Sequence, residues 1–167
     1  IMAGTFDPKT FLSQNYDEPN STKAIPIPES EYDATVRSVS DPREWTNREG
    51  VKKAIVDVSW LVEDVNGKIE AKTNRKENFA RQSLFLDVVA DGMGTITGLD
   101  MREGINVELG RLRAAVGLNG PGFSFQKLIG RPAHVKVGTD VDERDGTPRS
   151  KVVAAVKLGE KFGREGK

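Results

Sequence analysis

Apolar and polar residues alternate most cleanly over Lys52–Glu63. Ala54, Val56, Val58, Trp60 and Val62 fall on one face of an extended chain, and Lys53, Asp57, Ser59 and Glu63 on the other, interrupted by Ile55 and Leu61. Period two with one apolar face predicts a strand with one side buried. Four further segments carry the pattern. They are Glu31–Val39 (Tyr32, Ala34, Val36 inward), Phe79–Ala90, Ala133–Val141 (Val135, Val137 against His134, Lys136) and Ser150–Leu158 (Val152, Ala154, Val156 inward). In Phe79–Ala90 the core face is Ala80, Leu84, Leu86 and Val88; Phe79, Arg81, Ser83, Phe85 and Asp87 lie opposite. The period changes once. In Ile105–Leu118, Ile105, Leu109, Leu112 and Val116 recur at intervals of four, three and four, which predicts an amphipathic helix. Asn119-Gly120-Pro121-Gly122 stops it, and Phe123–Ile129 adds a short helical turn.

The segments between are turn chemistry. Asp41–Gly50 opens with Pro42 and closes on a glycine; Asn66-Gly67 and Asp145-Gly146 are hairpin signals; Gly92, Gly94 and Gly98 punctuate a link. Lys68–Asn78 is polar. Residues 1–28 read as an arm. Pro8, Pro19, Pro26 and Pro28 interrupt it, and Phe6, Phe11 and Tyr16 fit no strand period, so an extended course is expected. Ile1, ahead of Met2, is read as an addition outside the fold. The domain is expected over 29–158, with a basic tail over 159–167.

Three strands, a helix and two more strands is the chain order of an OB-fold, a five-stranded, mainly β barrel with its helix between the third and fourth strands. A five-stranded α+β sheet is the other architecture this order allows. OB-folds often bind single-stranded nucleic acid on the face of the second and third strands. They also use the loops joining the first strand to the second and the fourth to the fifth.

Composition narrows the chemistry. Lys+Arg and Asp+Glu are both 25, so the net charge is zero and a globally basic nucleic-acid clamp is excluded. There is no cysteine and one histidine, which removes thiol catalysis, Cys-ligated zinc and any site needing two imidazoles. No apolar run is long enough to span a bilayer, and no secretory leader is visible. No phosphate-binding Gly-Lys-Ser/Thr motif is present, and Asp142–Gly146 lacks the ligands of a calcium loop. A metal-dependent nuclease would need a carboxylate cluster that the sequence does not assemble. The reading is therefore non-enzymatic and without a cofactor. Charge is nonetheless unevenly placed. Residues 1–35 hold 2 basic and 6 acidic groups, 36–81 hold 10 and 8, 82–142 hold 6 and 7, and 143–167 hold 7 and 4.

The run Gly104–Arg113, then Phe123-Ser124-Phe125 followed by Leu128-Ile129-Gly130, Ala133 and Val135, resembles a group of bacteriophage single-stranded DNA-binding or recombination accessory proteins. Asn20-Ser21-Thr22, Pro28, Tyr32, Gln82 and Phe85-Leu86-Asp87 add to the likeness, which covers roughly residues 20–157. The resemblance implies an OB-like fold, single-stranded DNA as the partner, a role in phage replication or recombination alongside other phage proteins, and a location in the host cytoplasm. Many phage single-strand binders end in an acidic recruiting tail; this chain ends in a basic one.

Single-strand binding needs rings for bases and cations for phosphates. The candidate rings are Trp45, set between Arg43 and Arg48 where no core pattern demands it, and Phe79 and Phe85 flanking Arg81. The candidate phosphate contacts are Arg43, Arg48, Lys53, Lys72, Arg75, Lys76, Arg81, Lys136, Arg149 and Lys151. Trp60, Phe123 and Phe125 read as core, His134 as a surface histidine, and Arg111 and Arg113 as lying away from DNA. The arm is the natural exchange element for a homo-oligomer. A rival reading is a protein-interaction module of the same fold. The state of the Phe79–Arg81–Phe85 face discriminates the two: open and cationic favours DNA, covered favours a protein partner.

Overall fold

The computed structural model describes residues 4–163; Ile1 and the last four residues of the basic tail lie outside them. Seven strands form one mostly antiparallel sheet. They are β1 (Ser30–Val39), β2 (Arg43–Thr46), β3 (Lys52–Val62), β4 (Asn78–Ala90), β5 (Ile96–Leu99), β6 (Pro132–Val141) and β7 (Pro148–Val156). Their order is β2-β3-β1-β6-β7-β4-β5, and β3 also pairs with β4. That extra pairing closes β1, β3, β4, β7 and β6 into a ring of five strands. The closing contact between β4 and β7 is parallel and rests on one pair, Arg81 opposite Lys151. Among the described residues three α-helices accompany the sheet, α1 (Pro8–Ser13), α2 (Lys68–Thr73) and α3 (Val107–Ala115), with 3-10 turns at Val65–Gly67 and Phe125–Leu128.

The five ring strands are the five alternating segments, within two residues at each end. Their inward faces make the core, with Trp60 and Val58 on β3, Leu84 on β4 and Val135 on β6 all essentially inaccessible. On β7 the expected inward set is only partly right: a register shift between Lys136 and Val137 leaves Val152 inward but turns Ala155, not Ala154 or Val156, toward Val135 and the core. The indole N–H of Trp60 donates to Gln82 Oε1 at 3.0 Å, so the one polar atom on that side chain is satisfied inside the ring. Helix α3 packs on β7 and β4 and buries Leu109, Leu112 and Ala115, joined by Val116 and Leu128. It is shorter at both ends than its apolar period. Asn106 sits in the left-handed region at φ 54, where its side-chain amide brackets the Asp87 backbone, accepting from N–H at 2.8 Å and donating to C=O at 2.9 Å. Gly117, at φ 77, ends the other side.

Four features depart from the expected elements. The turn segment 41–50 contains β2, pinned by Asn47, whose side-chain oxygen accepts from the N–H groups of Glu49 and Val51. The glycine-rich link contains β5. The polar stretch 68–78 begins with α2, whose N-terminal Ile69 and Glu70 amides donate to the Asp64 carboxylate at 2.7 and 2.9 Å. The arm is not wholly extended: it holds α1, started by Asp7 and Pro8. These elements are four to six residues long, too short for a periodicity to register. The arm joins the domain at Ile27, which is buried and donates its N–H to Ser150 Oγ at 2.9 Å.

Candidate functional site

Alternation along β3 and β4 sends a second set of side chains outward, and register sets them side by side. Lys53 stands opposite Asp87, Ile55 opposite Phe85, Asp57 opposite Ser83, Ser59 opposite Arg81 and Leu61 opposite Phe79. Strand β2 extends this surface, with Arg43 opposite Ile55 and Trp45 opposite Lys53. Trp45 and Phe85 therefore meet. Their ring centroids are 5.7 Å apart in an edge-to-face contact. Both stay about half exposed, 42% and 52%. Beneath them Ile55 is buried although it points away from the main core. The pair is thus a rigid aromatic step on the outside of the sheet, neither a loose loop ring nor a core plug.

Phe79 lies six residues along β4 from Phe85, roughly 20 Å at 3.3–3.4 Å per residue. It is 42% exposed, and the Arg37 guanidinium sits 5.7 Å from its ring centre. Arg37 lies on the outer face of β1, at a bulge between Val36 and Ser38. Alternation puts Arg37 on the outer face of β1 but does not show which strand lies beside it, so Arg37 is a member of this surface absent from the candidate set. Ile55 and the exposed Val89, on the same face of β4, are others.

Arg81 stands between Phe79 and Phe85, two residues along β4 from Phe79, where two grooves meet. One, of about 370 Å³, is bordered by Ser83, Asp140, Arg149 and Lys151. The other, of about 300 Å³, is bordered by Phe79, Arg75, Arg149 and the arm residues Ala24–Ile27. Arg81 and Arg149 line both. Together they run across the β4–β7 seam, which is open because only one residue pair bridges it.

The charges are partly answered from within. Arg43 pairs with Asp57 at 2.6 Å, Lys53 with Asp87 at 3.2 Å, and Arg149 with Asp142 at 3.3 Å. Burial alone would raise the Asp57 carboxyl. Hydrogen bonds from Ser83 and Arg43, with the positive charge of Arg43 and Arg81, outweigh that and hold it below the ordinary value. Asp142 is held at about 2, mainly by hydrogen bonds from Arg144, with Arg149 adding positive charge. Among the described residues, no ion pair engages Arg48, Arg81, Lys151, Lys72, Arg75 or Lys76. Arg48 is exposed in the turn between β2 and β3.

The predicted set is therefore divided. Arg43, Trp45, Lys53, Phe79, Arg81 and Phe85 share one outer face; Arg149 and Lys151 continue it onto β7, and Arg75 borders the Phe79 end. Lys76 lines a different groove with Asp33, Leu61 and Leu158, and Lys72 is exposed on α2 away from both grooves. Lys136 stands apart from the others. It lies on β6, opposite Glu31 and Ala154, and β6 borders only β1 and β7. It therefore faces away from the β3–β4 surface.

Other singled-out residues also find places. Trp60 is fully buried, and Phe123 and Phe125 pack on the core with centroids 5.3 Å apart. Arg113 is buried; it donates to the carbonyls of Leu118 and Gly120 and lies over the Phe123 ring at 4.2 Å. His134 is more enclosed than a plain surface histidine. Its Nδ1 is 2.9 Å from Asp33 and its Nε2 3.0 Å from Glu31. Among the described residues, no three His, Asp or Glu side chains gather as metal ligands, and no helix is long and apolar enough to cross a membrane. No family model matches the chain, and a search of curated proteins finds no match.

Proposed function

We propose that this protein binds single-stranded DNA, with little sequence preference, on the outer face of β3 and β4. The strand order β1-β3-β4-β7-β6, with a parallel β4–β7 closure and α3 between the third and fourth ring strands, supports an OB-fold. The observation that carries the reading is the convergence on one open face. The Trp45–Phe85 step and Phe79 stand at its two ends and Arg81 between them, beside grooves that continue to Arg149 and Lys151. Rings at half exposure offer flat surfaces to bases, and stacking tolerates any sequence. Cations along the seam serve phosphates. The rival reading, a protein-interaction module, expects that face to be covered. The arm reaches only its Phe79 edge and leaves all three rings exposed. The function is binding without catalysis, in a phage's replication or recombination and in the host cytoplasm, where the sequence resemblance places such proteins.

Intrinsic fluorescence tests it. The protein has two tryptophans, and Trp60 is sealed in the core, so Trp45 alone reports on the face. Titration with unlabelled dT 30-mer quenches emission, salt weakens the effect, and duplex of equal length does not reproduce it. A gel shift accompanies the titration. Silence in both assays refutes the proposal and favours the protein-interaction module.

A further inference from the structure

Register orders the outer face into rows. Across β2, β3 and β4 one row holds Trp45, Lys53 and Asp87, the next Arg43, Ile55 and Phe85, and a third Asp57 and Ser83. Ser59 with Arg81 and Leu61 with Phe79 complete the face. The Trp45–Phe85 step joins the first two rows, so a carboxylate flanks it on either side, Asp87 and Asp57. Each holds a cation of the same face. Asp87 Oδ1 lies 3.2 Å from Lys53 Nζ, and Asp57 Oδ2 accepts from Arg43 Nη1 at 2.6 Å. Asp57 also accepts from the Ser83 hydroxyl, which fixes the carboxylate in place.

The other end of the face differs. Arg81 stands opposite Lys151 across the seam, and among the described residues no ion pair engages either. Arg149 borders both grooves beside them and shares Asp142 with Arg144; Glu108 and Asp140 border the first groove as well. Arg48 lies beyond the aromatic step, in the turn next to Glu49. The step is thus a platform whose own cations are neutralised in place. The unpaired cations of the sheet surface gather on one side of it, along the β4–β7 seam.

We infer that Asp57 and Asp87 are selectivity residues: they confine the phosphate track to the β4–β7 seam, which admits a single strand and turns duplex away. The inference rests on the single-strand reading and names what sets its preference. A single strand has one backbone, which lies on the seam while its bases reach the rings. A duplex keeps its bases stacked inside and presents two backbones, with one phosphate charge per about 1.7 Å of axis. It gains nothing from the rings and needs cations on both sides of the platform. Lys53 is placed to supply them, level with Asp87 and so about 20 Å along the sheet from Arg81 at 3.3–3.4 Å per residue. Asp87 already occupies it. A phosphate arriving there has to displace a carboxylate, and like charge opposes its approach, so the wrong partner is rejected by repulsion as well as by lack of contacts.

The test compares the affinities of the full chain for a labelled dT 30-mer and a labelled 30-base-pair duplex, over a series of low salt concentrations. Asp87→Asn keeps the shape of the side chain, and the Asp87 backbone stays anchored by Asn106, so the fold is retained. The variant tightens duplex binding about fivefold, steepens the duplex salt slope by about 0.9, the worth of one further phosphate contact, and narrows the preference for dT at least threefold. Adding Lys53→Gln restores the wild-type preference, because the freed cation is gone. Asp57→Asn, which frees Arg43, repeats the first result. Asp142→Asn frees Arg149 on the seam itself, tightens both ligands alike and leaves the preference unchanged. An Asp87→Asn protein with the wild-type preference overturns the inference, as does an Asp142→Asn protein that narrows the preference equally, since that shows net charge alone at work. Either result, with wild type still binding dT, leaves the single-strand reading standing. A wild type that binds neither ligand overturns both.

Discussion

Removing the Trp45 indole separates binding from folding more cleanly than any other single change. Trp45 lies on a four-residue edge strand opposite Lys53 and meets Phe85 edge to face. It is 42% exposed. The covered remainder of a ring of about 150–250 Å² is roughly 90–145 Å², which at about 25 cal/mol per Å² gives an upper bound near 2–3.5 kcal/mol for Trp45→Ala. The true cost is smaller, because the unfolded chain already hides part of that area and an edge strand relaxes around the gap. A stacked base lost from the face costs about 1–3 kcal/mol, or roughly 5- to 150-fold in Kd. Trp45→Phe keeps a flat ring and stays near the weak end of that range. The assay is anisotropy of a labelled dT 30-mer, paired with a denaturant melt that shows each variant folded under binding conditions. A folded Trp45→Ala that binds as tightly as wild type refutes stacking at this position.

Other consequences follow from the same geometry. Arg81→Glu, at the junction of the two grooves, weakens dT binding at least tenfold and lowers the salt dependence, whereas Lys136→Glu on β6 leaves both unchanged; equal losses would show nonspecific charge attraction. Trp60→Phe strands the buried Gln82 side chain and costs about 1–3 kcal/mol beyond the lost ring contacts; a chemical melt within error of wild type contradicts the buried hydrogen bond. For His134, burial alone would depress the imidazolium, but hydrogen bonds and negative charge from Asp33 and Glu31 outweigh it and raise its pKa above 6.5. A raised folded-state pKa stabilises the fold fully below the unfolded value, and that stability disappears as pH rises through the folded value. The stability gap between wild type and His134→Gln is therefore widest below about pH 6.5 and closes above the folded midpoint, staying under about 1 kcal/mol because both carboxylates are solvated. An NMR titration midpoint below 6.5 contradicts the bracketing pair.

The ring strands were legible because each has one buried face. Along β3, Ala54 to Val62 meet the core at every second residue, so burial writes itself into the sequence as period two. Helix α3 was legible for the same reason at a different period. Strands β2 and β5 were not, since edge strands of four residues with solvent-facing sides impose no pattern. The site was readable in part. Alternation put Phe79, Arg81 and Phe85 on one side of one strand. Alternation says which face a residue takes and nothing about which strand lies next to it. That is why Lys136 was grouped with the others although β6 sits elsewhere in the ring. It is also why the carboxylates that pair with Arg43 and Lys53 are not visible in the sequence: Asp57 and Asp87 answer them only once the register of β2, β3 and β4 is set. Arg37 alternates outward from Ala34 and Val36, but only the pairing of β1 with β3 sets it near Phe79.

The most direct test of the central claim is where the nucleic acid touches. Ultraviolet cross-linking of the full chain to a dT 30-mer, followed by peptide mapping, reads this without any variant. Adducts are expected at Trp45, Phe85 and Phe79, suppressed by salt and by unlabelled competitor. Adducts confined to β6, or spread without preference over the surface, would contradict it.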